Sequence, residues 1–422
     1  MGKHDMFELS DSDSDGEEES SPEEKPMEIR VKLDREVYFV GQDISGVVEI
    51  DNKYKRRMRG IRLTLRCRSE VVWWEERGSL VGKKEKVKQF NDDNLMYTEK
   101  YIVGEGKTMF LQAGDNIQFP FSISLKGKKK RKLPSSMELP KGHIRYYLKA
   151  EVDWPWAVVQ DHERLVSVVD ACNLCDVRDA LQPATFTKTF KVGLSRKKIH
   201  VAGRLEKLGY VPGEEILLHV EIDNNSSSKI SNSWIQLVEI VKYLSSGQKV
   251  ETSRNVLNWS EMGSIAGRHD LVKEKEPLLL PVVAQSAVNI VEFMKVSHEI
   301  SIMINVNGME KSVSQRIIVG TIPTKHCYNR FHMGRTPPKQ LFLWPYDHMT
   351  KIPCPNIAHT APNDEVNWQQ IKQIDPDFRL QNVCYEFDHD KAVEAFDDPD
   401  ASESESDGDG EDSQGHMSDF SI

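Results

Sequence analysis

Cysteine is scarce in this chain, with six in 422 residues. They stand at Cys67, Cys172, Cys175, Cys327, Cys354 and Cys384, mostly isolated, so reduced thiols in a cytosolic or nuclear setting are expected. Cys172 and Cys175 make the one Cys-x-x-Cys pair. A structural zinc site needs four ligands, and His326, Cys327 and His332 lie far off without a matching pair. No metal or cofactor is expected. Long apolar runs are lacking too. The strongest, Pro277 to Ala284, is short and broken by Pro281, well below membrane-spanning length. The acidic first stretch has no apolar segment like that of a signal peptide. Also missing are a Gly-rich phosphate loop, a Gly-x-Ser-x-Gly frame around Ser195 and a His-Glu metal helix. The chain is therefore not expected to be an enzyme.

What is present begins with charge. The net charge of −10 conceals a division. Residues 1–28 carry 11 acidic and 2 basic side chains, residues 386–422 carry 14 and 1, and the body between them is left at +12. Both ends read as solvated, disordered acidic tails. Ser10, Ser12 and Ser14 each have an acid three positions on, as do Ser402, Ser404 and Ser406. Acidophilic kinases favour that pattern, so these six are the phosphorylation candidates. Either tail could fold back on the basic body and compete with anionic partners. Deleting residues 386–422 would then raise affinity for such partners.

Between the tails one pattern occurs twice. A constant shift of 172 positions carries Leu33, Tyr38, Gly41, Ile44, Val48, Glu49, Ile50, Asp51 and Asn52 onto Leu205, Tyr210, Gly213, Ile216, Val220, Glu221, Ile222, Asp223 and Asn224. The pattern reads as a strand, a tight turn at the glycine and a second strand forming a hairpin, and two copies point to two tandem domains of one fold. Alternation elsewhere predicts further strands at Gly60–Ser69, Ile117–Ser124, His143–Val152, Ile199–Leu205, Trp234–Leu244, Ile300–Val306 and Ser312–Val319. Ile61, Leu63, Leu65 and Cys67 should face inward, with Arg62, Thr64, Arg66 and Arg68 outward. Many short strands and few helices indicate an all-β chain of antiparallel sandwiches. The domains are expected at 29–192 and 193–323, followed by an extended tail over 324–385 with docking segments. One such segment is a short helix over Asn363–Ile374, its Trp368, Ile371 and Ile374 packing on the body.

Several motifs in order carry a resemblance. Tyr38-x-x-Gly41, Gly46-x-Val48-x-Ile50-x-Asn52, Leu133-Pro134-Ser-Ser-Met-Glu138, Gly142-His-Ile-Arg-Tyr-Tyr-Leu-Lys-Ala150 and Asp153-Trp-Pro-Trp-Ala157 mark the first domain. Gly209-Tyr210-Val-Pro212-Gly213, Ile222-x-Asn224 and Val319-Gly320-Thr-Ile-Pro323 mark the second. Over roughly residues 29–323 the chain resembles the arrestin superfamily, and specifically the α-arrestins. The resemblance implies two immunoglobulin-like sandwiches and a cytoplasmic adaptor, peripheral at the plasma membrane or endosomes. Such an adaptor binds membrane protein cargo and links it to ubiquitin ligases or coat proteins. Many α-arrestins recruit WW-domain ligases through Pro-Pro-x-Tyr; Pro337-Pro338-Lys-Gln lacks the tyrosine, so that link is not expected here.

The densest positive charge is Lys126, Lys128, Lys129, Lys130, Arg131 and Lys132. It is the candidate site for anionic lipid or phosphorylated cargo, at about 1 kcal/mol per basic residue near a membrane. No base-reading module accompanies it, so nucleic acid is not the expected partner. Two alternatives stay open. One is a nuclear factor that uses the Lys-rich run for import or nucleic acid; the other is a subunit of a stable, retromer-like coat.

Overall fold

The structure is a computed structural model and describes residues 27–78, 84–127, 132–155, 160–192, 197–286, 292–324, 339–343 and 368–387. Two β-sandwiches follow each other. In the first, β1 (Glu28–Leu33), β3 (Asp43–Asn52) and β8 (Gly114–Ser124) form one sheet in that order. The facing sheet runs β2 (Val37–Phe39), β11 (Gln160–Val169), β10 (Gly142–Asp153), β5 (Gly60–Gly78), β6 (Lys84–Val103), with β9 (Met137–Leu139) beside β10. A ribbon of β4 (Arg56–Met58) and β7 (Met109–Leu111) closes one end.

The second sandwich repeats this order with one strand added at the edge of its first sheet and, among the described residues, without a counterpart of β9 or of the β4–β7 ribbon. Its first sheet is β12 (Ala184–Lys191), β13 (Lys198–Leu205), β15 (Glu215–Asn224), β18 (His269–Leu279). Its second is β14 (Gly209–Tyr210), β20 (Met309–Val319), β19 (Met294–Val306), β16 (Ile230–Leu244), β17 (Val250–Ile265). The chain thus has the tandem sandwich fold expected of its sequence. Strand β12 lies before residue 192 yet hydrogen-bonds along its whole length to β13, so its backbone belongs to the second sandwich.

Alternation explains the core. Ile61, Leu63, Leu65 and Cys67 on β5 are fully buried, whereas Arg66 on the other face pairs with Glu163 at 2.9 Å and stacks over Tyr147. Ile235, Leu237, Ile300, Ile302 and Ile304 fill the second core. Each such side chain contributes about 1.5–3 kcal/mol on leaving water.

The repeated turn needs a correction. It is not a hairpin, because its two strands sit in opposite sheets. Strand β2 pairs in parallel with β11 while β3 pairs with β1 and β8, and the second copy does the same with β14 on β20. Gly41 and Gly213, at φ of +98° and +90°, therefore carry the chain across the sandwich from sheet to sheet. Tyr38 and Tyr210 fasten that crossing, their hydroxyls donating to the Ser45 and Lys207 carbonyls at 2.8 Å. Asn52 and Asn224 hold the far ends of β3 and β15. Asn52 Nδ2 donates to the carbonyls of Tyr54 and Gln112, and Asn224 Nδ2 to those of Ser228 and Ala266.

Candidate interaction surface at the domain junction

The two sandwiches meet along a packed seam. Val241, Tyr243, Phe293, Met294 and Val296 of the second domain join the hydrophobic core of the first. Around them, Ser246 donates through its amide and its hydroxyl to the Phe90 carbonyl (3.1 and 2.9 Å), and Lys249–Glu75 and Lys141–Glu251 pair at 2.6 Å. On the other side the Cys172 carbonyl accepts the amides of Thr321 and Ile322. Gly320 is needed here because a Cβ would strike the Leu174 side chain. The small cavity at the seam, near Ser135, Gln285 and Thr321, measures about 20 Å³. That is room for a single water and excludes a small-molecule site there.

The residues that flank the Lys-rich run lie at this junction. Leu125 and Leu133, both fully buried, anchor its ends, and Leu125 exchanges hydrogen bonds with the Gly41 turn: Gly41 N–H to the Leu125 carbonyl and Leu125 N–H to the Gln42 carbonyl, each 3.0 Å. Lys126 and Lys132 are thereby fixed at the loop's two roots. Lys128, Lys129, Lys130 and Arg131 lie outside the described residues, as do Ser10, Ser12, Ser14, Ser402, Ser404 and Ser406. The segment after the loop stitches the seam. The Pro134 carbonyl accepts the Tyr146 hydroxyl at 2.6 Å. Ser135 accepts the Asp170 amide and donates to Gln285 of the second domain (2.8 and 3.0 Å). Burial pushes the Asp170 carboxyl up, opposed by the positive charge of Lys132. At Gly142 a Cβ would meet the Glu70 carbonyl and Val71, with Met294 close behind.

A C-terminal strap crosses the same region. Helix α1 (Trp368–Ile374) leads into β22 (Asn382–Glu386), which pairs with β21 (Lys339–Leu343). Ile371 is buried against Tyr147 and Leu165, on the outward face of β10 and β11, with Ile374 packed beside it. The Trp368 side chain and Asn363 lie outside the described residues. Asp375, also buried, accepts Arg164 Nε at 2.7 Å and the Leu165 amide at 3.1 Å. Arg145, which strand alternation alone would send to solvent, is 3% exposed because the strap covers it. It makes a two-pronged pair with Glu138 (2.6 and 2.9 Å) and donates its third arm to Gln370 at 3.0 Å. Burial raises the Glu138 carboxyl despite that pair. Further on, the Tyr385 amide donates to the Pro212 carbonyl and its hydroxyl to the Thr321 carbonyl. Val383, Tyr385 and Phe387 pack with Val37, Val169 and Val211 of both domains. Gly213 makes this possible, since a Cβ there would overlap the Tyr385 carbonyl.

The strap also walls a polar cleft of about 450 Å³ with the Lys32–Glu36 turn and Arg164. The strand at the strap's end was not among those expected, although Val383-x-Tyr385-x-Phe387 alternates as a half-buried strand should. Another grouping without a sequence signal is the string Ser286, His298, Glu239, linked at 3.2 and 3.4 Å. Its imidazole has no exposed surface, and the serine hydroxyl accepts the Val319 amide at 3.0 Å, so the string braces the interior and offers a substrate no approach. Cys172 is buried in the seam, Cys175 is exposed, and no metal-binding group of His, Cys, Asp and Glu occurs among the described residues.

Two family models match the chain: the N-terminal domain of arrestin (or S-antigen) over residues 27–175 and its C-terminal domain over 195–324. Arrestin domain-containing protein 17 of Caenorhabditis elegans is 27% identical over 317 residues, covering 70% of each chain. The thioredoxin-interacting proteins of Mus musculus and Homo sapiens are 23% and 24% identical over 249 residues, covering 58% of this chain and 59% and 60% of theirs. The duplicated sheet order, the glycine crossings and the junction motifs all fall within the matched residues, and the chain belongs to the arrestin family, of the α-arrestin type.

Proposed function

We propose that this arrestin-type adaptor is a binding protein without chemistry of its own. It holds membrane protein cargo and connects it to endocytic sorting or ubiquitination machinery from the cytoplasmic side. The observation that supports the reading is the position of the two residues that flank the Lys-rich run. Its roots, Lys126 and Lys132, are held beside the seam where both sandwiches meet, which supports a role for the basic run in contacting partners there. An acidic or phosphorylated linear segment fits that charge, and loops on a rigid scaffold suit recognition. With no Pro-Pro-x-Tyr in the chain, a ligase or coat would be engaged through another surface.

Proximity labelling in cells, comparing the parent with a variant carrying Lys128–Lys130, Arg131 and Lys132 changed to Ala, tests this. Labelling of integral membrane proteins and sorting or ubiquitin factors by the parent, lost in the variant, is the expected result. Loss of nuclear accumulation in the variant, with no membrane proteins labelled by the parent, would overturn it in favour of a nuclear factor. Stoichiometric co-purification with fixed partners would instead indicate a stable coat.

A further inference from the structure

The end of the first sandwich away from the junction carries a second concentration of positive charge, built differently from the Lys-rich loop. Strand β10 starts at Gly142, near Met294 of the second domain, and ends at Asp153, whose carbonyl accepts the Arg59 amide at 2.7 Å. The turn over residues 53–59 is therefore at the outer end. It reads Lys53-Tyr54-Lys55-Arg56-Arg57-Met58-Arg59. In the ribbon of β4 and β7, Arg57 sits opposite Phe110, while Arg56 faces Leu111 and Met58 faces Met109. Partners directly opposite share a face. Met58 and Leu111, at 0% and 3% exposure, point into the core, so Arg57 and Phe110 point out. Lys55, two residues before Arg57, shares that outward face, its Nζ 4.8 Å from the Phe110 ring centre. Phe110 is 54% exposed and Tyr54 49%. Lys53, Lys55, Arg57 and the exposed Lys107 have no acidic partner among the described residues.

The second domain provides an internal control. The same 172-residue shift puts Lys53, Tyr54 and Lys55 on Asn225, Ser226 and Ser227, and Met58 on Ile230. Asn224 ties that turn as Asn52 ties the first, and Ile230 is fully buried like Met58. The fold thus asks for the asparagine and the apolar anchor. It does not ask for the cations or the aromatic ring.

We propose that Lys53, Tyr54, Lys55, Arg57, Lys107 and Phe110 dock the outer end of the first domain on an anionic lipid bilayer. Three features select a bilayer. The surface is the outward side of a ribbon, which meets a plane, whereas a peptide is gripped in a groove. Phe110 has no polar atom, so its exposed ring gains by entering the apolar edge of the headgroup layer. The tyrosine and the long basic stems suit the headgroup level, with their charged ends on lipid phosphates. The ribbon proposal stands independently of the adaptor reading, because it rests only on the first domain's surface.

Co-sedimentation of the full chain with phosphatidylserine-containing and pure phosphatidylcholine vesicles tests it. The parent should prefer the anionic vesicles. Placing the second domain's residues in the turn, as Lys53→Asn, Tyr54→Ser and Lys55→Ser together, should weaken that binding about 25-fold, at about fivefold per basic residue. Phe110→Ser should weaken it about tenfold, and that loss should persist at salt concentrations that screen the charges. Lys107→Ser, a single exposed change outside the turn, should cost about fivefold and guards against a misfolded turn variant. Equal binding of parent and variants would overturn the proposal, as would a parent with no preference for anionic vesicles. Loss confined to binding of a polynucleotide or an acidic polypeptide would overturn the lipid assignment.

Discussion

Asp375→Ala is the most informative single change, because this buried carboxylate makes two of the polar contacts that hold the strap to the first domain. It accepts Arg164 Nε at 2.7 Å and the Leu165 amide at 3.1 Å, and its own side chain is 2% exposed. Removing it strands a buried amide and breaks a charge-assisted bond. Loss of one partner from a fully buried pair costs about 3–5 kcal/mol. Arg164, however, is 28% exposed and can rehydrate, so about 3 kcal/mol is the reasonable figure. That corresponds to roughly a 150-fold shift of the strap toward its open form. The sandwiches should stand, since the carboxylate touches neither core. Hydrogen exchange read by mass spectrometry separates the two outcomes. Protection over residues 368–387 should fall by about two orders of magnitude, while Gly142–Asp153 and Met294–Val306 keep theirs. Unchanged exchange in the strap would refute the idea that Asp375 is its main anchor. Loss across the central strands would show that the strap is part of the folding unit and no detachable element.

Three other outcomes follow from named contacts. Burial, with Arg145 and Arg68 nearby, pushes the His143 imidazole down to about 3 from 6.5, so the unfolded chain takes up a proton that the folded chain refuses. Stability from this residue is complete above pH 6.5 and is lost on acidification; denaturant unfolding of the parent should lose about 2 kcal/mol more between pH 7.5 and pH 5 than that of His143→Gln. Gly213→Ala should release the strap, because a Cβ there meets the Tyr385 carbonyl, whereas Gly41→Ala, with a similar φ and open space, should cost only about 1 kcal/mol of backbone strain. Limited proteolysis within residues 375–387 distinguishes them. Truncation after Phe387, which spares the packed end of the strap, should raise binding of the parent body to phosphopeptides at low salt; unchanged binding would dismiss competition by the acidic tail.

Strands with one buried face were legible because alternation records burial. Ile61, Leu63, Leu65 and Cys67 are all fully buried. β11 lacks alternation because its last five residues, Leu165–Val169, are all buried, whereas β18 and β6 lack it because their burial is slight. β18 has one buried residue, Leu278, in eleven, and β6 runs through Lys84 to Val103 at a sheet edge with little alternation. Such strands are held by backbone pairing to a neighbour, which leaves almost no mark in side-chain chemistry. The glycine turn was legible as a turn, but φ > 0 reads the same whether the flanking strands pair or part. The partners of the strap were hidden for a related reason. Tyr385 finds its partners at Pro212 and Thr321, and Asp375 at Arg164, all far away in sequence. Arg145 looked like an outward residue of β10 and became buried only because the distant tail lies over it.

The two copies are most useful where they disagree, since the same backbone then removes fold as the explanation. Arg35 and Gln42 of the first domain occupy the places of Lys207 and Glu214 in the second. In both, the second residue caps the turn through a side-chain oxygen, Gln42 on the Phe39 amide and Glu214 on the Val211 amide at 3.1 Å. In the second copy the acid also forms a buried ion pair with Lys207, which lies over the Tyr210 ring. That hairbreadth of extra chemistry seals the second crossing. In the first copy the amide leaves Arg35 exposed beside the polar cleft under the strap. The outer turns differ in the same sense, Asn-Ser-Ser in the second domain and Lys-Tyr-Lys in the first. At both places the second domain satisfies itself and the first presents charge outward. A duplication that conserved only packing would have no reason to sort its cations this way, and the asymmetry singles out these two places on the first domain for tests of partner binding.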